Sequence, residues 1–226
     1  MNDFLQQVTV WALPIVFAIT LHEAAHGWMA NRLGDPTARM LGRVTLNPIR
    51  HIDPLGTIIL PALLLLTVGF AFGYAKPVPI NFRNLRNPRR DMVLVAAAGP
   101  GANMLMALIA AGLIHLVPVL PEQVGIWLGQ NCVNAIVINA VLGVFNMIPL
   151  PPLDGGRVAV GLLPRALAYP LARVEPYGML LIFGAAFLLP MVAAQAGLDV
   201  NPVFDLIEPV IRGVVGLFVS LAGLGL

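Results

Sequence analysis

The sequence has one cysteine in 226 residues and little charge, with 11 acidic and 13 basic side chains making 11% of the chain and aromatic residues 7%. A lone Cys132 excludes an internal disulfide, and within its apolar stretch it reads as a small buried hydrophobe. A net charge of +2 with so few bases gives no indication of a nucleic-acid partner. There is no internal repeat, low-complexity tract or flexible interdomain linker, and the stretches between apolar runs are too short to hold a separate soluble domain. No Lys or Arg precedes the first apolar run, which is also too long for a signal-peptide core, so it is expected to be a retained span.

What the chain has in excess is apolarity, at 58% hydrophobic residues. Six apolar stretches stand out: Phe4 to Ala30, Leu55 to Ala75, Met92 to Val117, Val124 to Ile148, Tyr177 to Ala196 and Val203 to Leu226. The expected fold class is an all-α polytopic membrane protein, one integral-membrane domain over residues 1–226. Of the 13 Lys and Arg, 12 fall in three connections, Arg32 to Asp53, Lys76 to Asp91 and Asp154 to Pro176, with Arg212 the exception. The positive-inside rule puts these connections in the cytoplasm. Were Leu55 to Ala75 to cross the bilayer, the two most basic connections would lie on opposite sides. Gly56, Pro61, Gly69 and Gly73 interrupt that stretch, so a re-entrant or hairpin segment is expected, leaving five full spans.

Within the first run stands Leu21-His22-Glu23-Ala24-Ala25-His26-Gly27. On a helix His22 and His26 share a face, so both imidazoles can reach one metal ion, with Glu23 beside a bound water. The chain has only four His and four Glu, and three such groups within five positions of a lipid-buried helix are costly unless paired or metal-bound. A catalytic zinc usually takes three protein ligands. Among the remaining acids Asp154 stands out, because Pro149, Pro151 and Pro152 break the helix before it, and Gly155 and Gly156 let backbone pack around it. His22 lies about 27 Å of helix beyond Phe4, near the far edge of a core about 30 Å thick. Asp154 ends on that same cytoplasmic side if Met92 to Val117 is the one crossing between Ala30 and Val124. His51, in a polar loop, and His115, near the outer end of its span, are not expected to be ligands.

These residues resemble the site-2 protease family of intramembrane zinc metallopeptidases. The likeness rests on His22 through Gly27, on Ala98-Gly99-Pro100-Gly101-Ala102-Asn103, and on Asn146 through Gly156 with its Leu153-Asp154-Gly155 core. It implies a three-span catalytic core over about residues 4–163, followed by a C-terminal helical pair over about 177–226. It further implies one Zn2+ per chain held by His22, His26 and Asp154, Glu23 as general base, and hydrolysis of a peptide bond in or near a substrate's transmembrane segment. Asn146 matches the family's site-lining Asn, with substrate or oxyanion contact set against a helix-end cap. For Gly99 to Asn103, close helix packing is expected rather than chemistry. The resemblance comes without a PDZ or CBS domain, so a minimal member is expected, with any regulator or adaptor a separate protein.

A transmembrane substrate must be unwound before attack, so a strand-like element is expected to receive it. Met40 to Leu46 is favoured as a hairpin over Lys76 to Asn81, where Pro77 and Pro79 enforce extension. The competing readings are a metal transporter or sensor, and an inactive scaffold. A transporter should string polar groups along a path, whereas here they cluster at one edge.

Overall fold

The computed structural model describes residues 2–224 except 52, 60–62 and 64–75. The described residues are helices and turns without a strand, in agreement with the all-α polytopic expectation. The helices are α1 (Asn2–Leu33), α2 (Thr37–Met40), α3 (Pro88–Ile114), α4 (Glu122–Asn146), α5 (Asp154–Leu162), α6 (Arg165–Ala172), α7 (Glu175–Phe183), α8 (Leu189–Gln195) and α9 (Pro202–Leu221). A π-helical turn, Gly184–Leu188, joins α7 and α8 into one rod from Glu175 to Gln195. That rod, α4, and α3 with its short extension to Val119 are each long and apolar enough to cross a membrane. Their outward surfaces agree: Leu105, Ile109 and Leu180 are more than half exposed, which suits hydrocarbon surroundings and would be costly in water.

The centre of the molecule is α1, α3 and α4, each packed on the other two. Small residues make this close approach feasible: Ala18, Ala107 and Ala140 are fully buried. α9 lies on α4 and, to a lesser extent, α3, closing a cluster that includes Ala107, Ala111, Cys132, Ile136 and Phe218. Polar groups also tie α4 to α1, since Trp127 Nε1–H donates to Thr9 Oγ1 at 3.1 Å and Asn134 Nδ2–H to Val10 O at 2.8 Å. α5 packs across α3, and Arg89 of α3 donates to the carbonyls of Gly161 and Leu163, which α5 leaves without helical partners.

Apart from residues 55–59 and 63, the segment expected to be re-entrant lies outside the described residues. Its flanks, however, meet: Lys76 N–H donates to His51 O at 2.9 Å. Arg86 N–H also reaches Leu33 O, at 3.1 Å, so the chain on both sides of the segment sits at the C-terminal end of α1. The expected outcome is that single cysteines at Arg43 and Arg86, in a Cys132→Ala background, react alike with a membrane-impermeant thiol reagent. Labelling of only one from outside the cell would place the flanks on opposite sides of the membrane.

Candidate metal centre

The two histidines occupy successive turns of α1 and are both 7% exposed, buried against α3. Each commits one ring nitrogen to α3. His26 Nδ1 is 2.7 Å from the Val95 carbonyl oxygen, which can only accept, so this nitrogen carries the proton. His22 Nδ1 is 2.6 Å from Asn103 Oδ1. The orientation of the Asn103 amide is fixed by its NH2 group, which donates to Asn139 Oδ1 at 2.8 Å and faces Ala18 O at 3.4 Å. His22 Nδ1 is therefore also a donor. Both Nε2 atoms are left with lone pairs.

Those lone pairs converge. The two Nε2 atoms are 3.0 Å apart, and Asp154 Oδ2 lies 3.2 Å from each. With both imidazoles neutral, no hydrogen lies between these three acceptors, and the buried Asp154 Oδ2 has no hydrogen-bond donor. Such an arrangement is repulsive unless an added proton or a metal cation sits among the three atoms. Two atoms each about 2.1 Å from a tetrahedral zinc are about 3.4 Å apart, close to the spacing found here. The donor set of two imidazoles and one carboxylate, open on its fourth side, fits zinc, and the three residues form a group able to hold a metal ion.

Local sequence explains each position. Gly99 of α3 faces the rings so closely that a Cβ there would collide with His26 Nε2 and His22 Cε1. Asp154 is the first residue of α5, where the positive end of the helix favours a carboxylate. Gly155 and Gly156 allow the Met147 to Pro151 turn to fold onto α5, since a Cβ on either would strike that turn's backbone. Glu23, half-buried on the next position of α1, accepts Val78 N–H through Oε2 at 2.8 Å.

Asn146 is not brought to the cluster by a hydrogen bond. It is the last residue of α4, and its amide donates back to Leu142 O at 2.9 Å. Gly99 fits the close-packing expectation, since it lets α3 approach the imidazoles of α1, whereas the fully buried Asn103 goes beyond it and sets the His22 tautomer. Asn139 was not anticipated at all. The signal was available, since a buried Asn in an apolar helix needs a polar partner. The expected hairpin at Met40 to Leu46 is instead the last residue of α2 followed by turns and bends, whereas Lys76–Asn81 runs without turns beside Glu23.

Asp35, fully buried just beyond α1, anchors that second segment. Burial pushes its carboxyl up, but donors from Thr37 Oγ1, Asn84 Nδ2 and the backbone N–H groups of Asn81 and Thr37 outweigh burial and hold it below 3.8.

Two outcomes are expected from this geometry. Asn103→Ala should weaken zinc binding by about 10- to 100-fold, measured by chelator competition, since it removes the partner that orients His22. For Asp35, the folded value lies below the unfolded one, so its stabilisation is present above pH 3.8 and is lost as pH falls through the lower folded value. Melting in detergent should show that acid limb reduced in Asp35→Asn, which also loses about 1–3 kcal/mol near neutral pH.

Comparison with known proteins supports the same assignment. The sequence model of peptidase family M50 matches residues 122–191, a stretch containing Asn146 and Asp154. YwhC of Bacillus subtilis, named as a zinc metalloprotease, is 38% identical over 183 residues, covering 79% of this chain and 80% of its own length. Rip2 of Mycolicibacterium smegmatis, named likewise, is 30% identical over 169 residues, or 74% of this chain and 62% of that protein. Rip2 of Mycobacterium tuberculosis is 30% identical over 138 residues, covering 61% of this chain and 51% of its own. The chain thus spans less than two thirds of the mycobacterial relatives. No solved structure matches. A relative this similar over four fifths of its length, together with the family match across Asp154, establishes that the chain belongs to peptidase family M50, the site-2 protease family.

Proposed function

We propose that this protein is an intramembrane zinc metalloprotease that hydrolyses peptide bonds in or near transmembrane segments of membrane-protein substrates. The observation that carries the reading is the convergence of the two His Nε2 lone pairs and the undonated Asp154 Oδ2 beside Glu23. His22, His26 and Asp154 are the proposed zinc ligands. Zinc at such a site supplies Lewis acidity, polarising a scissile carbonyl and making water acidic.

The chain's own groups do the rest. Glu23 takes the proton of the attacking water and passes it to the leaving amine. Val78 N–H holds Oε2, so the carboxylate is fixed in orientation and Oε1 is the oxygen that carries the proton. Asn103 and Val95 keep both imidazoles neutral at Nε2, as ligation requires. The extended Lys76–Asn81 segment is the better placed of the two elements considered for receiving unwound substrate, because it borders Glu23.

The proposed partners are the bilayer and a transmembrane protein or peptide, with a separate regulatory or adaptor protein. The proposed location is a bacterial plasma membrane with the site near the cytoplasmic face, consistent with the basic connections at the C-terminal end of α1. Residues 1–226 form one domain in this reading, with the catalytic core in about 4–163. A transporter is disfavoured because a Glu next to a ligand His serves hydrolysis better than transit, and the buried His22, His26, Asn103, Asn139 and Asp154 are joined in one cluster.

Purified protein is expected to carry about one zinc per chain, and Asp154→Ala to lose it. Full zinc retention by that variant would mean a misassigned ligand. Glu23→Gln should keep its zinc and fold yet cleave members of a single-span peptide library at least about 10²-fold more slowly. Near-normal turnover by Glu23→Gln would overturn the mechanism.

A further inference from the structure

His51 lies in a connection rich in polar residues yet is 2% exposed. Its ring Nε2–H donates to the Thr45 carbonyl at 3.1 Å, which leaves Nδ1 as an acceptor. That Nδ1 is buried and has no hydrogen-bond partner. Burying an unmatched acceptor gains nothing for stability, and an apolar ring would pack without that loss. The ring's one satisfied polar contact, the bond to Thr45, is what an apolar residue could not make.

That bond joins two pieces of chain that converge on the turn of α1 carrying Glu23 and His26. Thr45 follows Val44, and a Cβ placed on Gly27 would stand 3.0 Å from both Val44 Cγ2 and Val78 Cγ1. Val44 and Val78 therefore flank the same residue of α1, immediately after His26. The His51 ring holds the Val44 side through Thr45, while its backbone carbonyl accepts Lys76 N–H at 2.9 Å and so holds the Val78 side. Two residues beyond Lys76, Val78 N–H grips Glu23 Oε2 at 2.8 Å. Pro77 between them stiffens the connection, since its φ is fixed and it also holds Lys76 in extended geometry. A displacement of Lys76 is therefore passed to Val78 and to the carboxylate.

We propose that His51 is a positioning residue for Glu23, a brace between Thr45 and Lys76 that keeps the Val78 N–H on the general base. Its catalytic consequence rests on the protease reading above, but its structural consequence does not. The brace depends on the N–H donor rather than on ring charge, so glutamine can replace it and leucine cannot.

The test uses the full-length zinc-loaded protein in detergent, with His51→Leu and His51→Gln variants and two readouts. In amide hydrogen exchange, the 76–81 segment of His51→Leu should exchange about 10-fold faster than wild type, with the α1 amides unchanged and zinc still bound. On the library peptide that the wild type cleaves best, His51→Leu should lower kcat about 10-fold while KM stays within about threefold, as expected for a mispositioned base and not for lost binding. His51→Gln should restore both to within about threefold of wild type, because it keeps the donor to Thr45.

Wild-type exchange and kcat in His51→Leu would overturn the proposal. So would a His51→Gln protein as impaired as a loss of the brace predicts, and this outcome remains readable even if His51→Leu does not fold. Should wild type cleave no peptide, the protease reading fails while the exchange comparison still decides the brace.

Discussion

Everything around the site depends on one requirement: two imidazoles buried in an apolar helix must each place an N–H on an acceptor. Both acceptors come from α3, one as the Val95 carbonyl and one as the Asn103 side chain. Meeting them forces α3 against α1 at a distance that only glycine at position 99 permits. Asn103 then has amide hydrogens of its own to place. It passes one to Asn139 of α4, whose amide donates to Ala135 O at 2.8 Å. The hydrogen-bond chain that fixes the histidine tautomer therefore also holds the three central helices together. In a low-dielectric interior such a chain is strong when complete and costly when broken. The tautomer it enforces on His22, together with that of His26 set by the Val95 carbonyl, is the one that presents both Nε2 lone pairs to a metal.

Much of the site could be read from the sequence because its signals are local. The spacing of His22 and His26 states a shared helix face, and the prolines and glycines around Asp154 state a broken helix with close backbone. The charge pattern anticipated that the connections before residue 53 and after residue 76 lie at one end of α1, and Lys76 bonded to His51 agrees. What was missed is non-local. Nothing in the spacing of Asn103 and Asn139 says that they face each other and His22, because that depends on the rotation of α3 and α4 about their axes. Reading Asn103 as packing undervalued the rule that a polar group in an apolar helix needs a partner.

The strand-like segment shows the same division. Val44 and Thr45 carry β propensity, which favoured Met40 to Leu46, but propensity is weak without a neighbouring strand to pair with. The described chain there is bent by its own side chains: Asn47 N–H bonds Thr45 Oγ1 at 3.1 Å and Ile49 N–H bonds Asn47 Oδ1 at 3.0 Å. Such short-range bonds give the backbone an alternative to a ladder. In Lys76–Asn81 the residues before Pro77 and Pro79 are pushed to extended geometry whatever their surroundings, and such a bond comes only at the end, where Asn81 Oδ1 accepts Arg83 N–H at 3.1 Å.

Those prolines also decide what that segment can offer. In extended chain, successive residues turn their backbone groups to opposite sides. Lys76 and Val78 turn theirs inward, to His51 O and Glu23, so positions 77 and 79 face away from that contact. Both are proline and have no N–H. The outward edge therefore presents carbonyl acceptors without intervening donors. A peptide laid along it could donate its own N–H groups but could not have its carbonyls bound there. That asymmetry suits a site whose chemistry acts on a carbonyl, since a scissile oxygen engaged in a β ladder would be withheld from the electrophile meant to polarise it. It also leaves an exposed edge that cannot template full β pairing between copies of the chain, and so protects the segment from aggregation while Pro77 remains at the surface.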